Sequence, residues 1–229
     1  MSRSLLAEYV GSAALAAAVI GSGIMAERLA GGNSAVALLA NALATVAMLA
    51  LLIAALAPVS GAHFNPAVTL AMWIRGALPA RRAGQYVIVQ IAGCCTGALL
   101  SNVMFDLPIV ELSVHERAGL AQWLSECIAT AGLIAVVLGS PSSAAAAWRV
   151  PAWIGAAYWF TSSTSFANPA ITVARSLSDT FAGIAPESVL AFVAAQVVGA
   201  LAATAVDASL TSASVRDPDG QTAEAVNER

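Results

Sequence analysis

Lysine is absent from this 229-residue chain, whose ten basic residues are all arginine, and charged residues of either sign make up only 10% of it. A soluble domain carries charge on about 25% of its positions, so there is too little here to solvate a water-exposed surface. Two histidines and three cysteines form no metal-ligand cluster, and neither a nucleophile with its base nor a phosphate-binding loop is apparent. Enzyme chemistry is therefore not expected, nor is a cofactor. A net charge of −3 without a basic patch removes nucleic acid as a partner. Cys94, Cys95 and Cys127 are odd in number and lie in apolar sequence, which argues against a disulfide framework. They read as small packing residues, with a thiol reactive toward soft metals as the alternative.

What the chain has in quantity is apolar sequence: 59% of its residues are hydrophobic and the mean hydropathy is +0.80. Six stretches near the roughly 20 residues that cross a bilayer can be drawn, at Leu5–Ala26, Ala35–Ala57, Gly84–Met104, Leu120–Ser140, Val150–Thr164 and Val189–Leu210. Glu8 interrupts the first, and Glu126 heads the fourth in a similar context, so the first reads as a retained helix rather than a cleaved signal. With the N-terminus inside, Arg3, Arg75, Arg81, Arg82, Arg149, Arg216 and Arg229 are cytoplasmic, against Arg28, Arg117 and Arg175 outside. That seven-to-three bias predicts a multi-pass protein of the cell's inner (plasma) membrane with both termini in the cytoplasm. A polar tail over 212–229, containing Asp-Pro-Asp-Gly, is expected to be disordered.

Two triplets punctuate the apolar sequence: Asn65-Pro66-Ala67 and Asn168-Pro169-Ala170. Asn is a preferred N-cap, and Pro at the first helical position gives up an N–H that has no intrahelical partner anyway. Each triplet therefore starts a helix abruptly, after a Ser- and Gly- or Thr-containing break. The segments that follow, about Asn65–Gly76 and Asn168–Phe181, are too short to span a bilayer and read as half-helices. Irregular backbone at bilayer depth is tolerated where protein buries it or where it lines a watery cavity.

The two halves of the chain echo each other. Glu8 matches Glu126, Asn65 matches Asn168, and Gln90-Ile-Ala-Gly93 matches Gln196-Val-Val-Gly199. Each half holds three spans and one half-helix, and because three is odd the second copy enters from the opposite side of the membrane. The expectation is an all-α membrane protein of six transmembrane helices and two re-entrant half-helices in an inverted repeat. It forms one domain over 1–211, with repeats at about 5–105 and 119–210. Small residues such as Gly93, Gly97 and Gly199 read as sites of close helix packing. As caps, Asn65 and Asn168 turn a side-chain oxygen toward helix N–H groups and leave the amide NH2 free to donate into a lumen. Two facing helix N-termini add about half a positive charge each, a barrier to cations and protons.

These triplets, within Ser60-Gly-Ala-His-Phe-Asn-Pro-Ala-Val-Thr69 and Ala167-Asn-Pro-Ala-Ile-Thr172, resemble the aquaporin or major intrinsic protein family over about residues 5 to 210. The resemblance implies a homotetramer with one pore per subunit, passing small neutral solutes. It also implies that Glu8 and Glu126 accept hydrogen bonds from the irregular loops, with proton transfer as the alternative. His63 would then offer a backbone carbonyl to the pore and a packed ring, the alternative being a pH gate. Counted as in that family, the selectivity filter falls on Thr45, Ala156, Ser165 and Ile171. Ile171 stands where family members typically carry Arg. The first Arg on that half-helix is Arg175, four residues before Asp179, a spacing that permits an ion pair or leaves Arg175 at the pore mouth.

A filter of this kind is wider and more apolar than a water-only one, closest to bacterial aquaglyceroporin-like branches that pass polyols or metalloid hydroxides such as arsenite. A water-selective pore and a proton-coupled secondary transporter are the competing readings.

Overall fold

The computed structural model describes residues 1–216, with side chains through Thr211, and is all-helical over that range. Eight helices follow in order: α1 (Arg3–Leu29), α2 (Ser34–Ser60), α3 (Pro66–Ile74), α4 (Ala80–Met104), α5 (Leu120–Leu138), α6 (Ser143–Phe160), α7 (Pro169–Arg175) and α8 (Pro186–Arg216). Five of them, α1, α2, α4, α5 and α8, are long and apolar enough to cross a membrane. With 18 residues, α6 completes the bundle by packing on α2 and α5. Its bounds differ from the expected Val150–Thr164. Ser142 caps it by accepting from the Ala145 N–H at 3.2 Å, so it starts before the apolar run. The backbone then turns extended at Thr161 (φ −106°, ψ 138°), which ends it.

The second half-helix is also shorter than the expected Asn168–Phe181. After Arg175 the N–H groups of Ser176 and Leu177 bond to the carbonyls three residues back, Val173 and Ala174, a tight last turn of the kind that closes helices. The following strip is held instead by the loop between α4 and α5. Glu111 N donates to Leu177 O (3.2 Å) and Ser113 N to Ser176 O (3.1 Å). At the C-terminal end, α8 continues through Arg216, so 212–216 are helical rather than the start of a disordered tail, and 217–229 lie outside the described residues.

The two halves build the same set of contacts. α1 packs on α4 and α2 as α5 packs on α8 and α6, while each half-helix also touches the closing helix of the other half, α3 on α8 and α7 on α4. A Cβ on Gly97 would strike the Ala13 carbonyl of α1, and one on Gly199 would strike the Cys127 carbonyl of α5. Backbones approach that closely because lipid tails are as apolar as the helices and supply little drive to bring them together.

Polarity is arranged for an apolar solvent. Glu8, Gln90, Glu126 and Gln196 are each 0% exposed, whereas Leu43, Leu51, Ile88 and Leu190 on the outer faces are 60–79% exposed. An exposed large apolar surface and a buried polar interior are the informative departures from a soluble fold.

Candidate functional site: a lumen between two half-helices

The site is built from the two triplets. Asn65 and Asn168 are both N-caps with the same extended φ of −154°, and each is followed by Pro at the first helical position. Asn65 Oδ1 accepts from the Ala67 N–H at 2.8 Å; Asn168 Oδ1 accepts from Ala170 N at 3.0 Å and Ile171 N at 3.3 Å. The amides are not wholly free, contrary to the local reading. Asn65 Nδ2 donates to Ala167 O at 2.7 Å, and Asn168 Nδ2 donates to Phe64 O at 2.9 Å. An amide carries two N–H bonds, so each Asn ties the two halves together with one hydrogen and keeps the other. That second hydrogen has no protein acceptor among the described residues, and both asparagines line the central cavity.

The loops before the half-helices take a conformation that most residues avoid. Ala62 (φ 53°) and Phe64 (φ 48°) in the first, and Ser165 (φ 52°) and Ala167 (φ 47°) in the second, are left-handed non-glycine residues at matching distances from their Asn. Such residues persist only where surrounding structure over-determines them, and the buried glutamates lie where they can do so. Glu8 accepts from Ser60 Oγ (2.6 Å), His63 N (3.0 Å), Phe64 N (2.8 Å) and Gln90 Nε2 (2.8 Å). Glu126 accepts from Phe166 N (2.8 Å), Ala167 N (2.9 Å) and Gln196 Nε2 (2.6 Å). The same two glutamines also reach the half-helices, Gln90 to Thr69 Oγ1 at 2.9 Å and Gln196 to Thr172 Oγ1 at 2.8 Å. His63 lines the cavity, its Nδ1 lies 3.1 Å from Thr69 Oγ1, and its ring packs edge-on against Tyr86 at 5.4 Å.

The cavity has a volume of about 160 Å³ and runs from Gly61 and Ala146 past both asparagines to Arg175. It has room for a file of several waters, each occupying about 30 Å³ of liquid. Its polar groups come mainly from the two loops and half-helices, while α1, α2, α5 and α6 present an apolar wall that includes Leu49, Leu133, Val150 and Ile154.

Three of the four filter residues read from the sequence, Thr45, Ser165 and Ile171, are buried and line this cavity. Ala156 is a correction: it is exposed on the outer face of α6 and does not line the cavity. From α6 it is Tyr158, 4% exposed, that points inward, with its hydroxyl 3.2 Å from Thr45 Oγ1. The Arg175–Asp179 ion pair that the spacing allowed does not form. Asp179 Oδ1 accepts from Val114 N at 3.0 Å and lies 3.8 Å from His115 Nε2. Arg175 instead turns inward, only 4% exposed. Its Nε donates to Ala182 O, its guanidinium lies 3.4 Å from the Phe166 ring centroid, and it borders both the cavity and a second pocket that Arg117 also lines.

Sequence reasoning missed Tyr158, Phe166 and Arg117. Arg117 was legible only as one of three arginines on the outer side; here its Nε donates to Gly183 O at 2.8 Å and its guanidinium lies 5.0 Å from the same Phe166 ring.

This geometry can be set beside known proteins. The fold matches a solved structure, the X-ray structure of the aquaglyceroporin from Plasmodium falciparum, over 88% of this chain and 93% of that one. The match has a TM-score of 0.69 at 19% identity, a likeness of fold alone. Aquaglyceroporin AqpS of Rhizobium meliloti is 49% identical over 153 residues, 66% of either chain. Aquaporin Z of Brucella melitensis is 34% identical over 113 residues, 44% of this chain and 50% of its own length. The chain thus spans no more than 66% of the length of these curated relatives. The family model described as major intrinsic protein matches residues 1–162, and with the paired Asn-Pro-Ala half-helices in place the chain belongs to the major intrinsic protein family.

Proposed function

We propose that this chain is a passive channel for small uncharged solutes larger than water, of the size of glycerol-like polyols or metalloid hydroxides such as arsenous acid, with water passing too. The observation that carries the reading is the composition of the cavity wall. Two asparagine amides with a hydrogen to spare face apolar side chains, and Ile171 occupies the place after the second triplet. A solute with hydroxyls on one side and carbon or a heavy atom on the other fits such a wall, and the relative named aquaglyceroporin agrees with it. Carboxylates engaged by loop N–H groups on both oxygens support structural roles for Glu8 and Glu126 rather than proton coupling. We place both termini in the cytoplasm of the inner membrane and assemble the chain as a tetramer, following the arginine bias and the family.

One observation favours a water-selective pore: Arg175, at the outer end of the cavity, brings back a cationic donor one helical turn from where the family carries it. Size selection separates the two. Ile171→Arg should place a long cation across the opening and Thr45→Phe should fill it with a ring. In proteoliposomes, polyol flux is expected to fall at least tenfold in either variant while water flux falls less. A folding defect lowers both fluxes together. An unchanged ratio in well-folded variants means that Thr45 and Ile171 do not set solute size.

A further inference from the structure

Two guanidiniums meet over one aromatic ring at the outer end of the lumen, and among the described residues neither forms an ion pair. Arg117 comes from the loop between α4 and α5 and Arg175 from the end of α7, and both lie over Phe166, at 5.0 Å and 3.4 Å from its centroid. Each spends its Nε on a loop carbonyl, Gly183 O for Arg117 and Ala182 O for Arg175. Among the described residues neither forms an ion pair, and the Nη atoms of neither have a hydrogen-bond acceptor in the protein. The carboxylate whose charge reaches both is Glu126, and its oxygens are already occupied by Phe166 N, Ala167 N and Gln196. Both arginines border an outer pocket of about 410 Å³ whose other walls, among them Asn41, Trp159, Thr164 and Phe181, carry no charge.

Two like charges held together repel each other, the one carboxylate that reaches them is engaged by the loop, and burial removes much of the water that screens them. The arrangement calls for an anion. A guanidinium presents planar, paired N–H donors that match an oxyanion or carboxylate edge, and the pocket admits a group of a few atoms. Arg175 belongs at the same time to the wall of the lumen, so a ligand bound to it stands in the path of anything entering.

We propose that Arg117 and Arg175 form a site for a small monovalent oxyanion on the outer face, and that its occupancy closes the lumen to neutral solutes. This rests on the channel reading above. The site is distinct from the Asn-Pro-Ala centre and makes Arg117, which does not line the lumen, a determinant of flux through the charge it adds.

The test uses the full chain in proteoliposomes, with nitrate replacing chloride on the outer side at constant ionic strength and glycerol flux in each anion expressed relative to the same protein in chloride. Saturable inhibition by nitrate is expected. Its half-inhibitory concentration should rise at least tenfold in Arg117→Gln and recover in part in Arg117→Lys. Nitrate binding to the detergent-solubilised protein, followed by titration calorimetry, should weaken in parallel. Inhibition of equal strength in Arg117→Gln, or intact glycerol flux that nitrate never reduces, overturns the proposal. Absence of glycerol flux even in chloride condemns the channel reading instead, and nitrate binding by calorimetry then still reports on the site.

Discussion

Glu8 and Glu126 hold equivalent loops through unequal numbers of bonds. Glu8 receives two donors on each oxygen, while Glu126 receives one on Oε1 and two on Oε2. A glutamine at either place exchanges one acceptor oxygen for a donor NH2, and the amide can be turned so that the less-used side loses. Glu126→Gln then sets the Phe166 N–H against the new amide, and Glu8→Gln sets the His63 N–H against it and also forces the Ser60 hydroxyl to turn from donor to acceptor. Each buried donor left unpaired costs about 1–3 kcal/mol. Thermal unfolding in detergent is therefore expected to show both variants destabilised by about one such increment, with Glu8→Gln no more stable than Glu126→Gln. An unchanged midpoint in either variant would contradict the bond pattern. At this scale the sequence told a mixed story. That the asparagines cap helices follows from Asn-Pro alone, because capping is a local property. That each amide spends a hydrogen on the carbonyl before the other triplet is a contact across more than 100 positions, and nothing local announces it.

Helix ends decided which expectations about elements failed. The Arg175–Asp179 pairing presupposed a helix continuing four residues past Arg175, since only helical geometry brings i and i+4 together. α7 stops at Arg175, so Arg175 was released to turn inward. Ala156 failed for a related reason. Counting back from Asn168 assigns a position without fixing the rotation of α6, and the rotation found puts Tyr158 inside and Ala156 on the exposed face. Helix packing, in contrast, was legible in the small residues, and it makes a sharp prediction on α4. At Gly97 an added Cβ would meet the Ala13 carbonyl, while at Gly84 it would meet nothing within 4 Å. Gly97→Ala should push α1 and α4 apart and cost about 1–3 kcal/mol. Gly84→Ala, on the same helix, should gain up to about 1 kcal/mol of helix propensity. Unfolding midpoints that move in the same direction would show that α1 and α4 do not meet through Gly97.

For the whole molecule, the repeat made the architecture legible. Matched Glu, Gln and Asn residues in two halves of three spans each imply an inverted pair of units whose half-helices face each other, and the contacts of α3 with α8 and of α7 with α4 realise that arrangement. The end of the lumen beside Arg175 was not legible, because it is made by loops whose course depends on pairing between 111–115 and 176–185 rather than on any periodicity. The central claim is that the lumen passes neutral solutes larger than water. Its most direct measurement is stopped-flow light scattering of proteoliposomes holding the unaltered chain, exposed to an inward glycerol gradient. Rapid shrinkage as water leaves, followed by reswelling several-fold faster than in empty vesicles as glycerol enters, is the predicted result. Rapid shrinkage with reswelling no faster than in empty vesicles would contradict it and leave a water-selective pore.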